Sequence, residues 1–418
     1  MPHLLSNLLG AFLLLLMVMS LGSDRARWIL LYVLIYMTMA GVQLDVPVLG
    51  SGMRSFIAFL LLLSSWPTVS HGMARLDRKG ILRPATALSA YLLLSHLILC
   101  PTPNFKSSFE IVGNYIFFVL LVSFLLKGPE KRVHGLVGAL ALGLSSNVAS
   151  YMPAWVPFLQ GREILGPLPH YQEPASSAML LLPMMLMALS SARGRGRKAL
   201  ILAGLAFLTV ATFYTGARAP LAVYVLILAF YRRRVLWTAF VVLAGVAGFL
   251  AMPRSTQTER TISRIEQLAT AAQTGSLSQN PDAEMRIQNI GMAWEGFQER
   301  PFLGWGVGSW YGFRQERSGQ LGYNLSIHNG WALLIFELGL VGLLLYLFFA
   351  WKCVKGVSPK FRGIISRDVG YIGLLQVAST FLVSMGGDAL LVRATYGVFA
   401  LAAYSRCAEI DLAAAGAA

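Results

Sequence analysis

The stretch "GWALLIFELGLVGLLLYLFFAW" (Gly330–Trp351) decides the fold. It is long enough for the roughly 20 residues that cross a bilayer, and its one charged side chain is Glu337. In lipid the backbone has no partner but itself, so a run of this kind must be helical. Comparable runs recur at Leu136–Val148, Ala199–Phe213 and Val235–Met252. The whole chain of 418 residues is 56% hydrophobic and 13% charged, with a mean hydropathy of +0.62. Soluble domains are nearer half apolar and a quarter charged. The expected fold is therefore all-α, a polytopic transmembrane helical bundle. Spans are predicted at 4–21, 28–42, 55–70, 84–100, 109–126, 133–151, 175–191, 199–214, 217–231, 235–252, 328–351, 369–385 and 389–405. About twelve cross, because one early segment is open to either reading. The Leu4–Leu21 run has no basic flank and no small-residue cleavage site, and reads as a span rather than a leader.

The formal charge of +15 would suggest a nucleic-acid partner if it were spread over one surface. It is not. Arg25 and Arg27, residues 74–83, 127–132, 192–198 and 232–234, the Lys352–Arg367 loop and Arg406 fall on one side of the predicted spans. They hold 22 of the 34 Lys and Arg, whereas that side, counting Asp24, Asp77, Glu130, Asp368, Glu409 and Asp411, has 6 of the 19 acids. This asymmetry is the positive-inside signal and marks the cytoplasmic side; nucleic acid is not needed to explain it. Cys100, Cys353 and Cys407 make no framework, and no disulfide is predicted.

Two segments on the opposite side exceed a hairpin. Residues 152–174 carry five prolines and read as a pinned, irregular loop. Residues 253–325 form a loop subdomain between an N-terminal bundle (1–252) and C-terminal helices (326–418). Within it Ile262, Ile265, Leu268 and Ala272 mark one amphipathic helix. Ile287, Ile290, Trp294 and Phe297 mark a second, opened by Asn280-Pro281, which suits an N-cap and first turn. Both are expected to lie at the membrane surface and cover what is beneath.

Four places could carry chemistry. In "TGARAPL" (215–221) Arg218 opens a span at the outer boundary. It reads either as a snorkelling anchor or as an anion site, since a guanidinium fork grips phosphate oxygens. Arg286 edges the Ile287/Ile290/Trp294 stripe, where a surface pair with Asp282 or Glu284 is the plainer reading. "RPFLGWGVGSWYGF" (300–313) mimics part of a dinucleotide fingerprint, but no strand precedes it. Its glycines instead predict a tight turn that brings backbone close to a ligand or to the membrane helices. Finally, "HNGW" stands at the mouth of the opening stretch. Helical spacing would put His328 on the face of Trp331, Ala332 and Ile335, with Glu337 on the opposite face, hydrogen-bonded to a neighbouring span. A neutral imidazole at that mouth can accept a proton. His170, Tyr171 and Glu173 in the Pro-rich loop are lesser candidates, as is Asp388, which could simply neutralise Arg393. No cluster has metal-ligand spacing, and neither metal nor cofactor is expected.

Taken together, "GARAPL", "RIQNIGMAW", "RPFLGWGVGSW" and "HNGWALLIFELG", in this order around a long outer loop, resemble the O-antigen ligase and polymerase superfamily of bacterial envelope glycosyltransferases. The resemblance implies a GT-C-like enzyme of the bacterial inner membrane with its active site facing the periplasm. Its donor would be a glycan on undecaprenyl pyrophosphate, and its acceptor, for a ligase, the lipid A–core oligosaccharide. Arg218 and Arg286 match the family's functional arginines and His328 its functional histidine. Asp388 matches less closely. A polymerase would instead use a second undecaprenyl-linked glycan as acceptor. A lipid or polysaccharide transporter fits poorly, since transporters favour internal repeats and midplane polar sites.

Overall fold

The computed structural model describes residues 15–39, 53–150, 172–215, 218–232, 281–318, 327–358, 364–385 and 393–415. Every regular element among them is a helix. After a helical stretch at 15–22 come α1 (Asp24–Met39), α2 (Met53–Ser64), α3 (Trp66–Arg78), α4 (Leu82–Leu99), α5 (Phe105–Lys127), α6 (Glu130–Ser150) and α7 (Gln172–Ser191). They are followed by α8 (Arg195–Thr215), α9 (Arg218–Arg232), α10 (Pro281–Glu299), α11 (Trp310–Ser318), α12 (Gly330–Val354), α13 (Ile365–Val383) and α14 (Arg393–Ala415).

The hub is α5. Asn104 caps it by accepting from the Ser107 N–H at 2.8 Å, and Ile116 through Leu125 are all buried. A helix apolar on every side needs neighbours on every side; α2, α3, α4 and α14 supply them. Small residues bring α13 and α14 together, with Gly373 lying directly against the backbone of Ala402 and Gly370 against Ser405. Close approach through small residues is how helices gain contact where lipid competes equally well for apolar side chains.

Among the described residues α4, α5 and α12 are long and apolar enough to cross a membrane, and α2 with α3 would make a fourth if taken together. The other predicted spans from 28–42 to 217–231, with 369–385 and 389–405, are helical over most of their described length, but do not meet that standard. The count of about twelve and the GT-C-like arrangement remain expectations of the sequence. The span at 235–252 and the amphipathic stretch at 262–272 lie outside the described residues.

Two expectations need correction. The span drawn as 55–70 is no single helix: α2 and α3 meet at Ser65 with a bend of 93°. Pro67, which has no N–H to give, starts the new helix in its first turn. Nor is the opening stretch one continuous helix. α12 breaks at Gly339, whose φ of 61° and ψ of −166° belong to a region open to glycine alone.

Candidate functional site

The break in α12 is filled by another part of the chain. In an unbroken helix Leu340 N–H would donate to the Phe336 carbonyl, and Val341 N–H to the Glu337 carbonyl. Here Leu340 N donates to Pro301 O at 2.8 Å and Val341 N to Phe302 O at 3.1 Å. The two freed carbonyls accept from the same loop, Phe336 O from Trp305 N at 3.0 Å and Glu337 O from Gly306 N at 2.8 Å. Residues 301–306 are thus spliced into the helix ladder, and two lost bonds become four. Irregular backbone at membrane depth is tolerated where protein satisfies it in this way.

The splice needs its glycines. Gly304, Gly306, Gly308 and Gly339 all have positive φ. A Cβ on Gly304 would lie 2.5 Å from the Glu337 carbonyl oxygen, and one on Gly306 2.5 Å from the Cys100 nitrogen. The tight turn expected of "GWGVG" is therefore present, and it approaches membrane helices.

Glu337 holds the far end of this loop. Its Oε1 accepts from Gly308 N at 2.8 Å, while its side chain is 5% exposed. Loop backbone is thus one partner of a carboxylate expected to bond to a neighbouring span. On the other flank stands the end of α4. The Tyr91 hydroxyl lies 2.6 Å from Leu338 O and 3.0 Å from Leu303 O, so one hydrogen serves a carbonyl on each side of the splice. Ser95 Oγ accepts from Val307 N at 3.3 Å. Buried His96 places Nδ1 2.7 Å from Val307 O, and its Nε2 accepts from Asn104 N at 3.2 Å. One tautomer, with the hydrogen on Nδ1, meets both partners.

Above the splice sits a small aromatic core. Ala293 of α10, Trp310 and Phe313 of α11, Ile327 and Phe336 are buried together, with Trp305 at their edge. Trp310 packs edge-on against Phe336 at 5.2 Å between centroids, and Phe313 lies 4.8 Å from Phe336. Arg300 stacks over Trp305 at 4.0 Å, and the Trp305 indole N–H donates to Gly296 O at 2.8 Å. Arg317 ties α11 back to α10 by pairing with Glu299 and Glu295. Arg314, also on α11, is 4% exposed, and burial lowers its guanidinium pKa from the ordinary value.

This packing sets where the predicted site residues stand. Gly296 abuts the Phe336 ring and Pro301 bonds to Leu340, so α10 and α12 run the same way. Arg286 lies ten residues, about 15 Å of rise, before Gly296; Gly330 lies six residues, about 9 Å, before Phe336. Arg286, partly buried, and His328, two residues ahead of Gly330, therefore stand toward the same end of the pair. Helix α10 begins at Pro281, as Asn280-Pro281 predicts.

His328 is not on the helical face expected of it. Helix α12 starts at Gly330, capped by Asn329, whose side chain accepts from Ala332 N at 2.9 Å. His328 precedes that cap, partly buried and with φ of 51°. Histidine tolerates this left-handed backbone better than most residues, but the position is uncommon and strain of this kind gathers at functional sites. The turn is pinned beneath: Gly330 N donates to Ser384 O at 2.7 Å, and the Trp331 indole N–H to Phe381 O at 3.0 Å. The imidazole's direction is thus set by a turn clamped to α13 and not by helical periodicity.

Arg218 is the first residue of α9, at the positive end of that helix. His170, Tyr171 and Asp388 lie outside the described residues. The four clamp residues Tyr91, Ser95, His96 and Asn104 and the buried Arg314 were not singled out in the sequence. Asn104 alone carried a readable signal, as a helix cap before "FKSS". Among the described residues no group of three or more His, Cys, Asp and Glu could hold a metal ion. The three cysteines are free and buried.

No curated protein gives a match to the chain. The family model described as O-antigen ligase matches residues 200–347, a stretch that takes in Arg218, Arg286, the spliced loop, His328 and the break at Gly339. Residues 200–347 are thus similar to the O-antigen ligase family.

Proposed function

We propose that the protein is an O-antigen ligase of the bacterial inner membrane. It transfers a glycan from undecaprenyl pyrophosphate to the lipid A–core oligosaccharide on the periplasmic side. The observation that carries this reading is the coincidence of the family match with one local arrangement: Arg286 on α10 and His328 before α12 stand toward the same end of two helices locked together by the spliced loop.

The chemistry follows from charge. An acceptor hydroxyl attacks the anomeric carbon while the bond from that carbon to the pyrophosphate oxygen breaks. The electron pair leaves with undecaprenyl pyrophosphate, and the hydroxyl proton goes to a neutral His328 imidazole. Attack opposite the leaving group inverts the anomeric centre. Arg218 and Arg286 meet the charge growing on the pyrophosphate, and preorganised cations of this kind can replace a metal. Helix α9 adds its N-terminal dipole beside Arg218. Transfer is therefore expected to survive chelation. Asp388 and His170 remain candidates for orienting the acceptor.

Deleting the gene in its host, and comparing lipopolysaccharide with the glycans left on undecaprenyl pyrophosphate, tests the reading. Unmodified core beside long lipid-linked polymer is the expected result. Core capped by single repeat units would make the protein a polymerase instead. No change in either pool would remove it from this pathway.

A further inference from the structure

Among the described residues the apolar stripe of α10 is turned away from the face by which the helix packs. Ile287 and Trp294 are each 54% exposed, whereas Asn289 and Ala293 are buried and Gly296 abuts Phe336. At about 100° per residue, Ile287, Ile290, Trp294 and Phe297 fall within about 80° of one another. The packing face lies about 110° around from them, and a third, polar face holds Gln288, Gly291 and Glu295. A contiguous apolar surface on the free side of a helix marks a binding face.

Its occupant is identified by what the stripe joins. Phe302 and Leu303 are exposed as well, and the Phe302 carbonyl is bonded to Val341 N, which fixes them at the level of the α12 break. From that level downward α12 bares its own apolar side chains: Leu340, Val341, Leu344, Leu347, Phe348 and Trp351. Between Trp331 and Gly339 it exposes no large hydrophobic residue to the same degree. Gly339 lies 15 residues, about 22 Å of rise, from Val354. That is inside a hydrocarbon layer about 30 Å thick. The lipid-facing side of a candidate span therefore runs without interruption onto Phe302 and Leu303 and up the stripe of α10.

We propose that α10 is seated at the outer edge of the bilayer, with Phe302, Leu303 and Trp294 reaching the acyl chains, Ile287 and Ile290 continuing the same face up through the headgroup zone, and its Gln288/Gly291/Glu295 face turned to water. Helix α10 is then a partition between lipid and an aqueous chamber. Carboxylates cannot face hydrocarbon cheaply, and Glu295 and Glu299 are on the far side, paired with Arg317 of α11. Trp294 suits the interface between the two media. Arg286 falls between the bilayer-facing and the packed faces, where an anionic headgroup moving laterally in the leaflet would meet it. A lipid-seated α10 is compatible with any chemistry at Arg286 and His328, so its test is independent of the ligase reading.

The three native cysteines are buried, so a nitroxide reagent will label introduced thiols. Single variants Ile287→Cys, Ile290→Cys and Phe302→Cys, with Gln288→Cys and Gly291→Cys on the polar face, would be labelled and reconstituted in phospholipid nanodiscs. Collision with oxygen, which concentrates in lipid, is compared with collision with a water-soluble nickel chelate. The ratio is expected to be several-fold higher at 302 than at 288 and 291, with 287 and 290 in between, alternating with helical period. Nickel access at 287 and 290 equal to that at 288 would overturn the proposal by making the stripe a solvent face. Protection from both reagents would overturn it too, by showing that protein, whether residues 253–280 or a second copy, covers the stripe.

Discussion

The two halves of α12 are built from the same kind of residue and live in different surroundings. From Gly330 to Leu338 the helix is encased: α10, α11 and the spliced loop cover it, and buried Phe336 centres an aromatic core. From Leu340 to Val354 one side packs on the bundle and the other is bare. Hydropathy does not distinguish them, since both read as an unbroken apolar run. The difference comes from Gly339, which opens the hydrogen-bond ladder and lets a foreign strand of backbone in. An apolar run within a membrane protein can thus be core for half its length and lipid-facing for the rest.

The proposed chemistry belongs to the encased half, and there the largest effects are expected. His328→Ala should lower transfer by about 10²–10⁴-fold, the range for a general base, with thermal stability in nanodiscs close to wild type. Near-normal turnover would remove the base from the mechanism. Gly339→Ala should be comparably severe for stability. Its Cβ would lie 2.5 Å from Phe302 O and 2.6 Å from Gly304 N, both backbone, in a conformation that costs other residues about 1–3 kcal/mol before any clash. The readout is the unfolding temperature and the yield of monodisperse protein; wild-type behaviour would mean the splice is dispensable.

The charge on Glu337 and its acceptor oxygen can be separated. Glu337→Ala leaves Gly308 N–H without this acceptor and should cost about 1–3 kcal/mol. Glu337→Gln keeps a carbonyl oxygen at the same place and should recover most of that loss, in both unfolding temperature and transfer rate. If glutamine is as damaging as alanine, the carboxylate does more than hold the loop. Tyr91→Phe comes next, at about 1 kcal/mol for one hydroxyl bridging Leu338 O and Leu303 O. It should be read by the same melting experiment.

These residues show which parts of the molecule were legible in the chain. The long apolar runs announced helices, and "GARAPL" with "HNGW" marked where helices start, because helix starts and polar mouths have local signatures. Of the clamp, only Asn104 had one. His96 sits in "LLLSHLILC" as one polar residue in a span, and its partners Val307 and Asn104 come from two other segments. The bond from the Gly308 N–H to Glu337 was not legible, because its donor carries no side chain to recognise. Face assignment failed at His328 for a simple reason. Helical periodicity placed His328 on a helix that starts two residues later. It also found the apolar stripe of α10 without telling whether protein or lipid receives it.

The bare half should respond least, and that weak response is informative. Leu344 is 57% exposed on α12, below the break. In a soluble protein its truncation would change exposed surface; in a membrane the side chain exchanges protein contact for lipid that is equally apolar. Leu344→Ala should therefore shift stability by less than about 0.5 kcal/mol, the usual range for positions outside a packed core. A loss of about 2–5 kcal/mol, typical of a buried leucine, would mean that protein packs against this face. The division of α12 at Gly339 would then mark a change of protein neighbours and not the edge of lipid, and the continuity that carries α10 into the bilayer would be broken at its lower end.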